Sequence, residues 1–339
     1  MSKILFDKDV SLSPLRRKTI GVIGYGNQGE AQALNIRDSG FDVIVGNRRD
    51  AYARSAERDG FSVSTIRQAV TKADVLIIAI PDEIQQTVYE RQIQPNLRAG
   101  QVLDFASSYG IHFKCIVPPK DVDVVMMSPR AMGVTVRESF VEGKGVPGFV
   151  AVAQDASGSA RDIVLALARA IGCTRAGVME CTFANEADVN LLAEQALWPL
   201  LTHAVILAYE VAVEAGVPPE VALLEFYASG ESSEVFRQMA LEGIFKQARY
   251  HSPTSRYGTL SRAAKLPNKE MKKTMRDALR DIRSGKFAQE WAREQDRGYP
   301  NLKKLAQRAA EHPINKTDKK VQILSASPHN FSTSRNNPG

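Results

Sequence analysis

Short apolar runs rich in β-branched residues alternate, in the first half of the chain, with segments long enough to form helices. These runs cover residues 19–24, 41–45, 75–80, 102–105, 122–127 and 149–153. The alternation predicts a parallel sheet that is covered by helices. Ligands bind outside the carboxyl ends of such strands, so the turns after these runs are the first candidates for a functional site.

The hydrophobic spacing changes near residues 177–182, and after Asn185 apolar positions recur with helical periodicity. We therefore predict an α/β fold in which a doubly wound sheet domain covers residues 1–182 and an all-helical domain covers residues 183–322. The last stretch, residues 323–339, is rich in Ser, Asn and Pro, which predicts a disordered tail.

A glycine-rich turn joins the first apolar run directly to a helical pattern. Gly24 permits a tight turn, Gly26 lets backbone N–H groups approach a pyrophosphate, and Gly29 lets the helix pack closely on its strand. This spacing between a strand and a helix predicts a Rossmann-type dinucleotide-binding domain. The candidate cofactor-binding residues are Gly24, Tyr25, Gly26, Asn27, Gln28 and Gly29.

Three charged residues follow the second run, where a Rossmann fold meets the adenosine ribose. Arg48 and Arg49 suit a 2′-phosphate, whereas Asp50 suits a free 2′-hydroxyl. The choice between NADPH and NADH therefore stays open. Solvated loop charge is the alternative for each arginine.

The turns after the next three runs supply further candidates. Pro81, Asp82 and Ser107 are candidate cofactor contacts by position. Tyr109 is a candidate substrate contact because its hydroxyl can donate a hydrogen bond to a substrate oxygen, although it could equally fill a polar loop. Arg130 follows the 122–127 run.

Composition narrows the class of protein. The chain has 339 residues, of which 44% are hydrophobic, and a net charge of +6, with much of the excess positive charge near residues 16–18, 48–49 and 265–283. Such clusters serve an anionic cofactor or solvate helix faces, and nucleic-acid binding is not favoured. Its three cysteines show no metal-finger spacing. Without an apolar run of membrane-span length or a secretory leader, we expect a cytoplasmic protein that binds no membrane.

From about residue 18 to about residue 316 the chain resembles the short-form ketol-acid reductoisomerases of branched-chain amino-acid synthesis. The stretches that carry the resemblance are Gly24-Tyr25-Gly26-Asn27-Gln28-Gly29, residues 33–40, Ile80-Pro81-Asp82-Glu83, and residues 141–147, 154–158 and 172–177. The resemblance implies an enzyme dependent on NADPH and magnesium whose helical domains interlock in a homodimer. It also implies two magnesium ions that hold the substrate, 2-acetolactate.

The chain departs from the family pattern at the metal ligands. The family's aspartate and glutamate, four residues apart on one helix, correspond to Asn190 and Glu194, and two glutamates supplied by the partner subunit correspond to Glu225 and Ser229. Asparagine cannot bridge two divalent cations as a carboxylate does. We expect Glu194 and Glu225 to hold one Mg²⁺ weakly at most, or to act as general acid or base. Residues 229–233 include about three extra residues, which we expect to bring Glu231 toward the position of the missing ligand.

The predicted pocket also differs from the family. The family's histidine-glycine-phenylalanine-asparagine corresponds to Ser107-Ser108-Tyr109-Gly110, and Arg130 stands where the family has a lysine. Arg130 keeps the positive charge but does not titrate near neutral pH. Trp198 replaces a small residue beside Glu194 and is a candidate substrate contact. Ser252 lies near the family's substrate-contacting serine.

Three hypotheses follow. The preferred one is an NAD(P)-dependent oxidoreductase that is repurposed in specialised metabolism for another hydroxy acid, diol or ketone. In this hypothesis the cofactor withdraws a hydride from the substrate, the substrate rearranges or forms a small ring, and the hydride is then returned. The second is an ordinary ketol-acid reductoisomerase that converts 2-acetolactate to 2,3-dihydroxy-isovalerate. The third is a non-catalytic NAD(P)-binding protein. Catalytic candidates are Glu194, Glu225, Asn190 and Arg130.

Overall fold

The protein is described here by a computed structural model, in which residues 3–325 are defined. The described part of the chain divides into two compact units, and the division falls between Asn190 and Leu191. Most of the tail predicted to be disordered, residues 326–339, lies outside the described residues.

The first unit contains one nine-stranded sheet. Its strands are β1 (Ile4–Leu5), β2 (Ile20–Ile23), β3 (Val43–Gly46), β4 (Val63–Ser64), β5 (Val75–Ile78), β6 (Val102–Phe105), β7 (Asp123–Pro129), β8 (Gly148–Gln154) and β9 (Val178–Glu180). The strand order is β1-β9-β8-β7-β6-β5-β2-β3-β4. Neighbouring strands from β4 to β7 are all parallel, and the order reverses at β2 and β5, which is the doubly wound topology.

Beyond β7 the sheet is mixed. The strand β8 lies antiparallel to β7 and parallel to β9, and β1 closes the edge antiparallel to β9. The short strands β1, β4 and β9 have two or three residues each, too few to produce a readable apolar run. The sequence pattern therefore identifies the central strands and misses the short ones.

Helices cover both faces of the sheet. In the first unit they are α1 (Asn27–Asp38), α2 (Ala51–Arg58), α3 (Ile66–Lys72), α4 (Asp82–Val88), α5 (Tyr109–His112), α6 (Gly133–Val141), α7 (Ala160–Ile171) and the start of α8 (Phe183–Leu192). One buried cluster joins α1, α6 and α7 to the sheet, and a second cluster joins α3 to the opposite face. The predicted α/β fold class is thereby confirmed.

The second unit is helical throughout its described part. Its helices are α9 (Trp198–Glu214), α10 (Pro219–Leu223), α11 (Glu231–Glu242), α12 (Pro253–Ala263), α13 (Asn268–Arg283), α14 (Lys286–Asp296), α15 (Pro300–Glu311) and α16 (Ile314–Ser325). Two π-helical segments, Ala193–Leu197 and Leu224–Ala228, adjoin α9 and α10. The one buried apolar cluster found in this unit's described residues is small, comprising Tyr209, Ala222, Leu223 and Val321.

One helix in the described residues, Phe183–Glu214, is long and apolar enough to cross a membrane by length and composition alone. Its best 18-residue window has a mean hydropathy of 1.6, and only 11% of that window is buried. The sequence count of uninterrupted apolar residues misses this helix because isolated polar residues break the run. A single helix of this kind is weak evidence for a membrane, since core helices pass the same test.

Candidate functional site

The glycine turn lies at the carboxyl end of β2. Gly24 has a φ of +95°, in the left-handed region that favours glycine. Gly26 caps α1, and a Cβ placed on it would meet no atom within 4 Å. A Cβ on Gly29, in contrast, would collide with the carbonyl oxygen of Gly24. The turn therefore leaves open space at the amino end of α1, where backbone N–H groups and the helix dipole attract a phosphate.

The side chains of two predicted cofactor contacts form hydrogen bonds to the loop after β7. Asn27 Oδ1 accepts a hydrogen bond from the N–H of Gly133 at 2.5 Å, and Gln28 Nε2 donates to the carbonyl of Ala131 at 2.8 Å. These bonds fasten the loop after β7 to the start of α1. The backbone N–H groups of Asn27 and Gln28 lie in the first turn of α1, where they can face a pyrophosphate.

Tyr25 is turned inward. Its side chain is 1% exposed, its hydroxyl donates to Asp59 Oδ2 at 2.9 Å, and its ring meets Phe61 edge-on. Burial raises the pKa of Tyr25 above its ordinary value, and the Asp59 carboxylate raises it further. The residue between the first two glycines is thus a neutral hydrogen-bond donor.

A cavity of about 460 Å³ opens where the adenosine ribose is expected. It is lined by Asn47, Arg49, Asp50, Ala53, Arg54, Glu57, Val63, Ser64, Thr65 and Gln68. Asp50 Oδ1 accepts from the N–H groups of Tyr52 and Ala53 at 2.9 and 3.1 Å, and Arg48 Nε lies 2.7 Å from Oδ2. Although burial acts to raise it, the pKa of Asp50 is lowered by Arg48 and the two N–H groups. The cavity wall therefore carries a carboxylate.

The ends of β5 and β6 bring Asp82 and Ser107 together. Ser107 Oγ lies 3.4 Å from Asp82 Oδ2, and Gln85 Nε2 donates to Asp82 Oδ1 at 2.9 Å. Pro81 precedes the first residue of α4. Tyr109 begins α5, and burial, with smaller contributions from Cys115 and Asp82, raises its pKa to about 12. Tyr109 therefore keeps its phenolic proton at neutral pH.

Arg130, at the end of β7, is the centre of a polar cluster in the first unit. Its Nη1 lies 3.1 Å from Glu186 Oε1, and its Nη2 donates to Asn190 Oδ1 at 3.1 Å. Ser108 donates to the other oxygen of Glu186, from Oγ at 2.5 Å and from its N–H at 3.2 Å. The guanidinium also lies over the ring of Phe149, 5.2 Å from its centroid. The structure thus joins two predicted residues, Arg130 and Asn190.

The sequence analysis missed Glu186 and Ser108 as members of this cluster. Glu186 is 2% exposed, and such a buried carboxylate is rare unless it is paired. Its spacing was the available signal, because Glu186, Asn190 and Glu194 recur at intervals of four along one helical stretch.

The remaining predicted residues belong to the second unit. Glu194 and Glu225 each lie in a π-helical segment, and Trp198 begins α9 with half of its side chain exposed. Ser252 caps α12, where its hydroxyl accepts from the N–H of Ser255 at 3.2 Å. Glu231 begins α11.

The residues of the first unit fit a dinucleotide, whereas the cluster around Arg130 leaves no free carboxylate for a magnesium ion. The open turn at Gly26, the amino end of α1 and the ribose cavity are what a dinucleotide requires. Both oxygens of Glu186 are already bonded, and a guanidinium lies against Asn190. Among residues 3–325, no three His, Cys, Asp or Glu side chains form a group that could hold a metal ion.

The fold and the glycine turn define a dinucleotide-binding oxidoreductase. Residues 14–177 match the family model of the acetohydroxy acid isomeroreductase NADPH-binding domain, and residues 183–326 match that of the ketol-acid reductoisomerase C-terminal domain. The chain therefore belongs to the ketol-acid reductoisomerase family, as the motifs indicated, and NAD(P)H is its cofactor.

Individual relatives match over nearly the whole chain. The ketol-acid reductoisomerase (NADP(+)) of Pyrobaculum aerophilum is 45% identical over 96% of this chain and 99% of its own length, and that of Pyrobaculum neutrophilum is 47% identical over the same shares. A solved structure of an NADH-preferring ketol-acid reductoisomerase from an uncultured archean superposes with a TM-score of 0.91 at 41% identity. It covers 96% of this chain and 100% of that one.

These relatives overturn the preferred functional hypothesis. The substitutions at Asn190, Ser229 and residues 107–110 led to the prediction of an enzyme repurposed for another substrate. That prediction is wrong, because relatives 42–47% identical over at least 95% of the chain carry the name ketol-acid reductoisomerase. Substitutions at single ligand positions do not outweigh a similarity over nearly the whole chain, which supports the ordinary family reaction.

Proposed function

We propose that this protein is an ordinary ketol-acid reductoisomerase, which converts 2-acetolactate to 2,3-dihydroxy-isovalerate with oxidation of NAD(P)H. The observation that carries the proposal is the match of both family domains to one chain that keeps the glycine turn. The test is incubation of the purified protein with 2-acetolactate and each cofactor, with and without Mg²⁺. Cofactor oxidation matched by dihydroxy acid supports the proposal, and cofactor binding without product contradicts it.

We propose NADH as the preferred cofactor. The charged Asp50 stands in the ribose cavity, where it can accept a hydrogen bond from a 2′-hydroxyl and would repel a 2′-phosphate. Arg48, which would otherwise attract that phosphate, is paired with Asp50. The solved relative described as NADH-preferring supports the same choice.

We propose that a homodimer is the working form. Large apolar side chains are exposed in the second unit, among them Trp198, Leu207, Val211, Leu241, Phe245 and Tyr257. Exposed apolar area of this extent is typical of an uncovered interface. The family resemblance, in which a partner supplies the residue corresponding to Glu225, supports a second copy as the partner that covers it.

We propose a cytoplasmic location, with the apolar helix Phe183–Glu214 covered by protein rather than by lipid. The similarity to biosynthetic enzymes supports this choice. Recovery of the protein in the pelleted membranes of lysed cells, resistant to alkaline carbonate, would contradict it.

We also propose that the chain binds at most one Mg²⁺, through Glu194 and Glu225. Asn190 and Ser229 supply no charge to a second ion. Isothermal titration with Mg²⁺ in the presence of NADH tests the stoichiometry, and two tightly bound ions per chain would contradict the proposal.

A further inference from the structure

The guanidinium of Arg130 has hydrogen-bonding capacity that the protein does not use. Nη1 donates to Glu186 and lies 3.4 Å from Ser128 Oγ, and Nη2 donates once, to Asn190. Among the described residues no acceptor bonds Nε, so Nε–H and the second Nη2–H remain. Two N–H groups on adjacent guanidinium nitrogens form a fork that matches the two oxygens of a carboxylate.

The guanidinium is also held in place. Glu186 is buried and fixed by Ser108, so it cannot follow a moving arginine. The backbone N–H of Arg130 donates to Pro147 at 2.8 Å, and the ring of Phe149 lies beneath the guanidinium. An arginine fixed in this way loses little conformational entropy when it binds an anion.

The cluster lies on the ligand-binding edge of the sheet. Arg130 follows β7, which is two strands from β5, or roughly 10 Å along the edge. The glycine turn after β2 and Asp82 after β5 lie at the same edge. In a doubly wound sheet the reacting end of a bound dinucleotide and its substrate lie along this edge.

We propose that Arg130, oriented by Glu186 and Asn190, binds the carboxylate of the substrate directly and takes the place of a divalent cation at this position. The inference rests on the proposed function only for the substrate class, a 2-hydroxy acid anion. Glu186 and Arg130 cancel each other's charge, and Asn190 adds none. A magnesium ion here would find no free carboxylate and would be repelled by the guanidinium.

The experiment measures anion binding without turnover. The probe is 2-hydroxy-2-methylpropanoate, a 2-hydroxy acid with no ketone to reduce, titrated calorimetrically into the full-length protein saturated with NADH, in EDTA or in Mg²⁺. We expect equal binding in both conditions. Arg130→Gln should weaken it about 10- to 100-fold, and Arg130→Lys should lose less because it keeps the charge without the fork.

A matched control is Arg175→Gln. Arg175 likewise lies over an aromatic ring, that of Phe140, and bonds a carbonyl, but it belongs to a different part of the first unit. It should leave probe binding unchanged. Unchanged NADH affinity in each variant shows that the dinucleotide domain is folded. Probe binding that requires Mg²⁺, that is absent from the wild type, or that survives Arg130→Gln overturns the inference.

A second measurement tests the exclusion of the metal. The double variant Arg130→Lys/Asn190→Asp restores the residues that the family carries, and Mn²⁺ binding is followed by electron paramagnetic resonance. We expect the variant to bind Mn²⁺ at least about tenfold more tightly than the wild type, and equal affinity overturns the inference. The proposed function is tested separately. If 2-acetolactate is not turned over but the probe still binds through Arg130, the proposed function fails and this inference stands.

Discussion

Asp104 lies fully buried in β6, and its carboxyl group is only partly bonded. Oδ1 accepts the N–H of Met127 at 2.7 Å, whereas Oδ2 has no hydrogen-bond partner among the described residues. Burial raises the pKa of Asp104 well above its ordinary value, and the Met127 bond offsets part of that effect. Ionisation of this group therefore opposes folding.

Replacement of Asp104 by Asn should stabilise the protein at alkaline pH. Because the folded pKa exceeds the unfolded one, the wild type is most stable below the unfolded pKa and loses stability as pH rises toward the folded pKa. Asparagine keeps the acceptor for Met127 and does not ionise. We expect Asp104→Asn to unfold about 2–4 °C higher at pH 8, with a smaller difference at pH 5, by differential scanning fluorimetry.

The matched control for Asp104 is Asp123, a buried aspartate of β7 whose oxygens are well bonded. Asp123 accepts from the N–H groups of Ala156 and Ser157 and from Ser157 Oγ. Asp123→Asn should destabilise the protein by about 1–3 kcal/mol, because at least one bond to a charged acceptor is lost. A lower melting temperature for Asp104→Asn at pH 8 would contradict the account of Asp104.

Asp50→Asn should shift the cofactor preference toward NADPH. The amide oxygen still caps α2, while the negative charge that would oppose a 2′-phosphate is removed and Arg48 is released from its ion pair. We expect the ratio of kcat/KM for NADPH over NADH to rise about tenfold. Glu57→Gln, on the same cavity wall, should change the ratio little. An unchanged ratio in Asp50→Asn would show that Asp50 acts only as a helix cap.

At the residue scale the sequence predicts positions better than orientations. The glycine turn could be found because its requirements are local, namely backbone freedom and close approach. The side-chain directions of Tyr25, Asn27 and Gln28 depend on partners 34 to 106 residues away in the chain. Spacing cannot supply such contacts. Spacing could have marked Glu186 as sharing a helix face with Asn190, but its pairing with Arg130 and Ser108 is seen only in the structure.

At the scale of elements, one hydrogen bond ties the glycine turn to the helix that carries the ribose cap. Tyr25 lies in the turn, and its partner Asp59 directly follows α2, while Asp50 caps the beginning of α2. Arg37 of α1 adds to this connection between the glycine turn and α2, because it donates to the carbonyl of Asp59 and lies over the ring of Phe61. The pyrophosphate and ribose regions are therefore held in a fixed spacing.

Tyr25→Phe should loosen that spacing while the ring stays packed. The change removes the hydroxyl that donates to Asp59. We expect it to weaken cofactor binding more than it slows the chemical step. We expect the KM for NADH to rise about 5- to 20-fold with kcat within about twofold. Tyr52→Phe, an exposed tyrosine at the start of α2, is the control and should change neither constant. A fall in kcat with KM unchanged would contradict this role for Tyr25.

In the π-helical segments, α-helical spacing no longer predicts which residues share a helix face. Both glutamates predicted to hold magnesium lie in such segments, Glu194 in Ala193–Leu197 and Glu225 in Leu224–Ala228. Pro199 follows the first segment and cannot donate the hydrogen bond that an α-helix needs there. The argument that residues four apart share a helix face assumes 3.6 residues per turn, and a wider turn alters that face.

At the scale of the whole molecule, the two parts of the chain differ in what covers their apolar residues. The sheet unit buries its central strands β2, β5, β6 and β7 and the apolar face of α7, so their apolar runs report the fold directly. The helical unit leaves large apolar side chains exposed, so amphipathic spacing alone cannot tell which face a helix buries. The second unit could therefore be predicted as helical, but helical spacing alone does not show which of its faces remain exposed.

The proposed homodimer predicts that charge on the exposed face of α9 will block assembly. Leu207 and Val211, four residues apart on that face, are 48% and 64% exposed, so Leu207→Asp/Val211→Asp should disturb the unit's own buried cluster little. Two carboxylates buried at a dimer interface would be desolvated without partners, so we expect the dimer dissociation constant to rise at least about 100-fold. Sedimentation velocity should show monomers, whereas Glu214→Lys, at the exposed end of the same helix, should remain dimeric. A monomeric wild type, or a double variant that still dimerises, would show that this face is not the interface.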